Sequence, residues 1–457
     1  MNNSLRWASL SIIMLGLLLL GFSLQIMAQS DDDIWATPVN LSQSGAASSP
    51  VVVAVPDGSF RILWWDQFDG LMVVDGLFAA PGLEEMEAST SVGEPVTPTL
   101  AGENWSAPGL ATIRMPQTVI REGQEVVVLA PIEVIPKIVG DRSGRAHAFW
   151  LGEPDEDTGG TPLLHSRLEP TSTSWSTPGS IAEFATSFAV TADVTGTAHL
   201  VYVRSNPAPD VPIGLSYRQL PAGGTDWSAP ATVHSSRYLR LLPPDEDHLR
   251  ITATETGDLY ATWDDPYKRE ILESHSVDGG ATWSQAQPFV GSGIQPQQDR
   301  LIALPGSVPA ALWAPPGDSQ TRLVATSTGN TLKLSAWDGD QQAVTVLSPL
   351  RFGDLEQGNQ VSLNDPYLML APPSPDDEEA IETLIVLGTD GNHDLWITGS
   401  SMPNLQALLA ESSLTEEDGP TALPIPVNLS RSGAASKPAI VARADGSLYA
   451  FWWDQFD

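Results

Sequence analysis

The chain has 457 residues, 42% of them hydrophobic, with 38 Gly, 38 Pro, no Cys, and a formal charge of −34 from 56 acidic against 22 basic side chains. That charge argues against nucleic acid or an anionic membrane surface as partner, since both recruit Lys and Arg to displace counterions; the missing cysteines exclude disulfides, lipid-modified Cys and thiolate metal sites. Pro, Gly, Ser and Thr punctuate the chain too often for long helices, so the expected fold class is all-β, with size supplying the stability.

In chain order, Arg6 precedes an apolar run from Leu10 to Leu24, and Ala28 stands at a cleavage-like position. Residues 1–28 read as a signal peptide, which makes the mature protein secreted or extracytoplasmic. Gln25 ends the apolar run short of the roughly 20 residues of a membrane span. If the segment were retained it would anchor the protein at the cell surface, the one circumstance in which a membrane is a partner.

After this leader a short motif recurs, a Trp followed by a small residue and usually Pro: "WATPV" at Trp35, "WSAPGL" at Trp105, "WSTPGS" at Trp175, "WSAPAT" at Trp227 and "WSQAQP" at Trp283. The spacings are 70, 70, 52 and 56 residues. Between the tryptophans come an apolar strand, a glycine turn ("PDG", "RSG", "VTG", "ETG"), a second strand ending on an aromatic, and a third such as "PLLHSRLE" or "IGLSYRQL". The glycines suit the positive φ of tight hairpins. Four antiparallel strands repeated in this way specify a β-propeller over residues 35–403, of about six blades, with seven as the neighbouring count. Trp64, Trp150, Tyr202, Trp263 and Trp313 recur on the second strand as wedges between blades, and His147 and His199 share one mid-strand position that argues for a core role. Residues 71–104, rich in Glu, Thr and Pro, read as a mobile insertion in the first blade.

A second repeat is longer. Pro38–Asp69 and Pro426–Asp457 share 22 identities in 32 positions, at an offset of 388 residues. Residues 404–423 then read as an acidic linker. Residues 424–457 read as the start of a second unit, in a fragment of a longer tandem protein, or as a partial blade that closes the first ring.

One turn is more specific. "SVDGGATW", from Ser276 to Trp283, has the pattern Ser-x-Asp-x-Gly-x-x-Trp. Here the chain resembles the sialidase (neuraminidase) superfamily with BNR repeats, in which this Asp box is scaffold: Ser276 and Asp278 bond the turn backbone, Gly280 takes a positive φ and Trp283 plugs between blades. The resemblance further implies a triad of arginines, a Tyr with a Glu partner and an acid/base Asp. The matching positions are sparse. Arg114 in "TIRMPQTV" lies at the end of the first blade instead of its start, Tyr267 with Glu270 is the loop Tyr-Glu pair, and Asp264 and Asp265 are the nearby acids.

Antiparallel order places the glycine turns and the Asp box on one face and the second-to-third strand loops on the other, where ligands are expected. That face carries Asp66, Asp69, Glu153, Arg204, Asp264 and Asp265, with further acidic runs near 155, 245 and 376. Such charge repels an anionic sugar, against sialidase chemistry. The acids read as solvated loops first. Asp155 and Asp157 could alternatively serve a Ca²⁺ ion, although no cofactor is required, and facing carboxylates could serve glycoside hydrolysis. The expected function is thus a non-catalytic extracellular binding or scaffold module for a glycan or a protein partner, with an exo-acting glycoside hydrolase using those loop carboxylates as the alternative.

Overall fold

The structure, a computed structural model, describes residues 38–55, 59–76, 105–121, 123–141, 143–155, 157–193, 195–205, 213–239, 249–253, 257–265, 270–288, 309–313, 321–328, 331–338, 341–347, 364–371, 383–401, 427–442 and 448–455. The predicted leader, the linker and most of the expected insertion lie outside these residues. The chain divides into two units, Met1–Val39 with Ser91–Glu103, and Asn40–Thr90 with Asn104–Asp457. Everything that follows concerns the second.

Among the described residues this unit is all-β, with no helix. Its first sheet is β1 (Ala47–Ala54), β2 (Phe60–Asp66), β3 (Gly70–Gly76) and β4 (Gly109–Leu110), and a separate hairpin follows of β5 (Arg114–Arg121) and β6 (Gln124–Pro131). The second sheet is β7 (Lys137–Gly140), β8 (Ala146–Leu151), β9 (Leu163–Leu168) and β10 (Gly179–Ala182). The third is β11 (Ala185–Ala192), β12 (Ala198–Arg204), β13 (Gly214–Leu220) and β14 (Ala231–Ser235). The fourth is β15 (Arg250–Ala253), β16 (Leu259–Asp265), β17 (Glu270–Ser276) and β18 (Gln287–Pro288). The fifth is β19 (Pro309–Trp313), β20 (Thr321–Thr328), β21 (Thr331–Asp338) and β22 (Gln341–Leu347). The sixth is β23 (Asn364–Ala371), β24 (Thr383–Thr389), β25 (Leu395–Ser401) and β26 (Val427–Asn428), and a last hairpin is β27 (Ala435–Ala442) with β28 (Leu448–Asp454).

Each four-stranded sheet is an antiparallel meander in sequence order. The first strands pack side by side: β1 against β7, β7 against β11, β11 against β15, β15 against β19, β19 against β23, β23 against β27, and β27 against β1. The expected insertion therefore begins later than its composition indicates. Gly70–Gly76 is β3, with Leu71, Val73 and Val74 buried, because its short apolar run pairs along the whole of β2 before the Glu- and Thr-rich stretch starts.

The Ser of the Trp-Ser motif explains why the fourth strand begins where it does. Its N–H donates to a carbonyl of the third strand, and its hydroxyl accepts the N–H of that same residue. Ser106 bridges Asp75 in this way (2.9 and 2.9 Å), as Ser176 does Arg167 (2.8 and 3.0 Å). Ser228 on Gln219 and Ser284 on His275 repeat the arrangement, both at 2.8 and 3.0 Å. The side chain thereby satisfies a backbone donor that the short fourth strand would leave unpaired.

A second recurring device closes a hairpin, the first one of the second and third sheets and the second one of the sixth. Asp141 Oδ1 accepts the N–H groups of Ser143 and Arg145 at 2.8 and 2.9 Å. Asp193 does the same for Thr195 and Thr197, and Asp390 for Asn392 and Asp394, at the same distances. Apolar side chains then fill the seams between sheets. Trp263, fully buried, sits in a cluster with Leu259, Ala261, Leu272, Val203 and Leu215, drawn from the third and fourth sheets. Phe149 joins Ile181 to Leu200 and Tyr202 across the second and third.

Candidate ligand cleft between the second and third sheets

Strand alternation on β9 buries Leu164, Ser166 and Leu168 and leaves His165 and Arg167 half-buried on the opposite face. Those two side chains, with the turn and strand 176–181 behind them, form one wall of a cleft of about 390 Å³. The other wall is Arg218 of β13 with Thr225, Asp226 and Trp227 from the turn that follows it. The size lies at the lower end of the range for small-ligand sites.

The walls are bridged by reciprocal arginines. Arg167 Nη1 donates to the Gly224 carbonyl at 2.9 Å, from the second sheet to the third. Arg218 Nη1 donates to the Ile181 carbonyl in the other direction, and its Nε donates to Ser228 O at 2.6 Å. Arg167 is also paired with Glu169 at 3.1 Å. Burial lowers the Arg218 pKa, but a guanidinium stays charged, so the cleft carries fixed positive charge within a strongly acidic chain. At the exposed lip Asp226 accepts only the Thr225 hydroxyl, at 3.0 Å, among the contacts described for it.

Behind the cleft wall runs a polar chain whose hydrogens have one arrangement if both imidazoles are neutral. Trp227 Nε1–H donates to His165 Nδ1 (3.3 Å), His165 Nε2–H donates to His147 Nδ1 (3.1 Å), and His147 Nε2–H reaches Asp141 Oδ2 (3.5 Å). An indole can only donate, so the head of the chain fixes both tautomers. Burial, the neighbouring His147 and Arg167 together hold His165 at a pKa of about 3. The next sheet repeats the device with a phenol. His199 lies 3.1 Å from Asp193 Oδ2 and 2.8 Å from the Tyr217 hydroxyl, which is also 3.1 Å from the Gly279 carbonyl. Burial lowers His199 despite Asp193 and pushes the Tyr217 phenol up. His147 and His199 are thus interior, hydrogen-bonded residues, 3% and 2% exposed.

The turn 276–283 follows its sequence pattern closely. Gly280 N–H donates to Ser276 Oγ at 2.8 Å, Ser276 Oγ–H donates to Asp278 Oδ1 at 2.7 Å, and Asp278 accepts Thr282 N–H at 2.8 Å and Thr282 Oγ1–H at 2.6 Å. These bonds, led by Thr282, hold the Asp278 carboxyl at about 2. Trp283 meets the Tyr217 ring edge-on at 5.2 Å.

The residues expected on the opposite face are scattered in role. Asp66 is 2% exposed and caps its own loop, accepting the N–H groups of Phe68 (2.9 Å) and Asp69 (3.2 Å), while Asp69 and Glu153 face solvent. Arg204, 7% exposed, lies over the Phe184 ring at 5.6 Å, and Asp264 is 6% exposed. Asp265 and Glu270 end paired strands whose side chains there are outside the description, as is all of Tyr267. Arg114 is exposed on β5. Asp155 Oδ1 accepts Thr158 N–H and Oγ1–H at 2.8 Å and Asp157 N–H at 3.2 Å, an Asx turn. Among the described residues, no three His, Asp or Glu side chains are gathered as a metal site would need. Sequence reading passed over His165, Arg167, Arg218, Asp226 and Trp227 as a group; the signals were the polar alternation in "LLHSRLE" and "LSYRQL" and, for Trp227, its place in the Trp-Ser repeat.

No protein-family profile matches the chain, and no curated protein sequence does. Solved structures do align with it at low identity. A lectin from Burkholderia pseudomallei is 14% identical over 90% of this chain and 95% of its own, with a TM-score of 0.43. An ulvan lyase is 11% identical over 80% and 82%, TM-score 0.39, and the fucose-specific lectin of Aleuria aurantia 11% over 79% and 94%, TM-score 0.34.

Proposed function

We propose that the chain is an exported, non-catalytic glycan-binding module, built as a seven-bladed propeller, and that the cleft between its second and third blades holds the sugar. The observation that carries this reading is the composition of the cleft. Two guanidiniums, an exposed carboxylate and the hydroxyls of Ser176, Ser180 and Thr225 stand beside a Trp indole. Opposed donors and acceptors next to an aromatic wall suit a polyhydroxylated ring, whose hydroxyls both give and take hydrogen bonds.

The test is titration of immobilised glycans with the wild type and with Asp226→Ala and Thr225→Ala, two exposed positions whose loss leaves the core intact. Asp226→Ala is expected to weaken binding at least tenfold, about 1.4 kcal/mol, with an unchanged melting temperature. Binding that is indifferent to both variants rejects the cleft. Release of sugar from a fluorogenic glycoside panel would instead establish the hydrolase reading.

The blade count rests on the side-by-side order of first strands from β1 round to β27 and back to β1. It also rests on ring contacts of Phe60 with Tyr449 (4.8 Å) and of Trp105 with Phe451 (6.5 Å). In this reading residues 427–454 complete the ring, with β26 closing the sixth blade and β27–β28 serving as the inner half of the seventh. Phe451 packs on Ile62, Trp64 and Val74 of the first sheet. Phe451→Ala is therefore expected to reduce hydrogen-exchange protection in β2 and β3. Loss of protection confined to β27 and β28 would mean an open row of sheets.

A further inference from the structure

Among the described residues, the hairpin β5–β6 pairs with no other strand, unlike every other described strand before the last hairpin. Its base is anchored, since Met115 and Ile132 pack on the core cluster around Leu63, Ile113 and Trp150. Its outer part is not: Ile120 is 76% exposed, Val127 67% and Leu129 61%. Two-stranded hairpins are marginal in water, and exposed aliphatic strands with open edges pair readily with others.

The two edges of the hairpin differ. β5 carries Pro116, which has no N–H to give, and Arg114 and Arg121 at its ends, the devices that discourage strand addition. β6 runs Gln124-Glu125-Val126-Val127-Val128-Leu129-Ala130 with no proline before Pro131 and one charge. In sequence, residues 114–131 carry Arg114 and Arg121 against Glu122 and Glu125, a net charge of zero on a chain of −34. This is therefore a place where two strongly acidic copies can approach without opposed like charges. If β6 meets β6 antiparallel about a two-fold axis at Val127, Glu125 faces Leu129 and Gln124 faces Ala130, so the single acid never meets its own copy.

We propose that β6 is the edge through which two copies of this chain pair, giving a four-stranded sheet in the order β5, β6, β6, β5 with Val126–Leu129 at its centre. The contact is isologous, and closes as a dimer without templating a fibre.

The absence of cysteine makes the test direct. Val126, Val127 and Val128 are each changed to Cys in the full chain, with Thr118→Cys as control; Thr118 is the β5 partner of Val127 and is also exposed. Directly opposed residues of an antiparallel pair lie about 4.5–5.5 Å apart at Cβ, close enough for mild oxidation to link them. The expected result is a dimer by sedimentation, with covalent dimer formed several-fold faster at one β6 position than at Thr118. Val127→Lys is expected to give a folded monomer whose melting temperature no longer depends on protein concentration. A monomer at every concentration overturns the proposal. So does a dimer whose cross-linking is no faster on β6 than at Thr118, since its contact then lies elsewhere.

Discussion

Acidification from pH 7 to pH 5 is expected to cost the fold about 2 kcal/mol through His165 alone. The unfolded imidazole titrates near 6.5, whereas in the folded chain burial, His147 and Arg167 hold it at about 3. The folded state thus binds fewer protons than the unfolded one between these values. Its stability is fully present above pH 6.5 and is lost progressively as pH falls toward 3. His199, also lowered by burial, adds in the same direction. Asp141 and Asp193 are held below the ordinary carboxylate value: burial would raise both, but the hydrogen bonds they accept outweigh it. Their contribution therefore disappears only in the more acidic range, below about 3.8.

Urea unfolding at pH 7, 6 and 5 measures this slope. His165→Phe is expected to be less stable at pH 7, because the Trp227 N–H and His147 Nδ1 lose their partner, yet to show a flatter dependence on pH. An unchanged slope in that variant would place the proton uptake at another group.

Gly280→Ala is expected to destabilise the protein by about 3 kcal/mol or more, and Gly279→Ala by only about 1 kcal/mol. Both glycines have positive φ, +91° and +68°. At Gly279 a Cβ meets nothing within 4 Å, whereas at Gly280 it would lie 2.2 Å from the Tyr217 ring. That ring cannot yield cheaply, because its hydroxyl is held at His199 and at the Gly279 carbonyl and its edge by Trp283. The comparison separates backbone strain, shared by the two sites, from the clash that only one has. Equal losses in denaturant titrations would show that Tyr217 moves aside freely.

Much of the fold was legible because its signals are local. The Trp-Ser motif, the glycine turns and the alternating strands each lie within about ten residues of chain, and each corresponds to a physical requirement of one sheet. Ser276, Asp278 and Gly280 were assigned to a turn through the resemblance to the Asp-box pattern, and the side-chain bonds of Ser276 and Asp278 do run within that turn. The start of the insertion was misjudged because composition averages over a window, and "LMVV" inside an acidic neighbourhood still pairs with β2.

The cleft was not legible. Arg167 and Gly224 are 57 residues apart, and Arg218 and Ile181 are 37 apart. Nothing in a strand of alternating pattern says which polar side chain faces the next sheet and which faces water. Conversely, Asp66 and Arg204 looked like open-face ligands because they end strands beside loops, but each is turned inward, one onto backbone N–H groups and the other onto the Phe184 ring.

By itself the sequence determined the all-β class, the four-stranded unit, the chemistry of the turns and the interior place of His147 and His199, because hydrogen-bond satisfaction and strand alternation act between near neighbours. Tertiary structure decided which sheets adjoin, which polar groups converge between them, and that, among the described residues, β5 and β6 pair only with each other. Those outcomes depend on packing between segments distant in the chain, where the free energy comes from surfaces that meet only once the sheets have assembled.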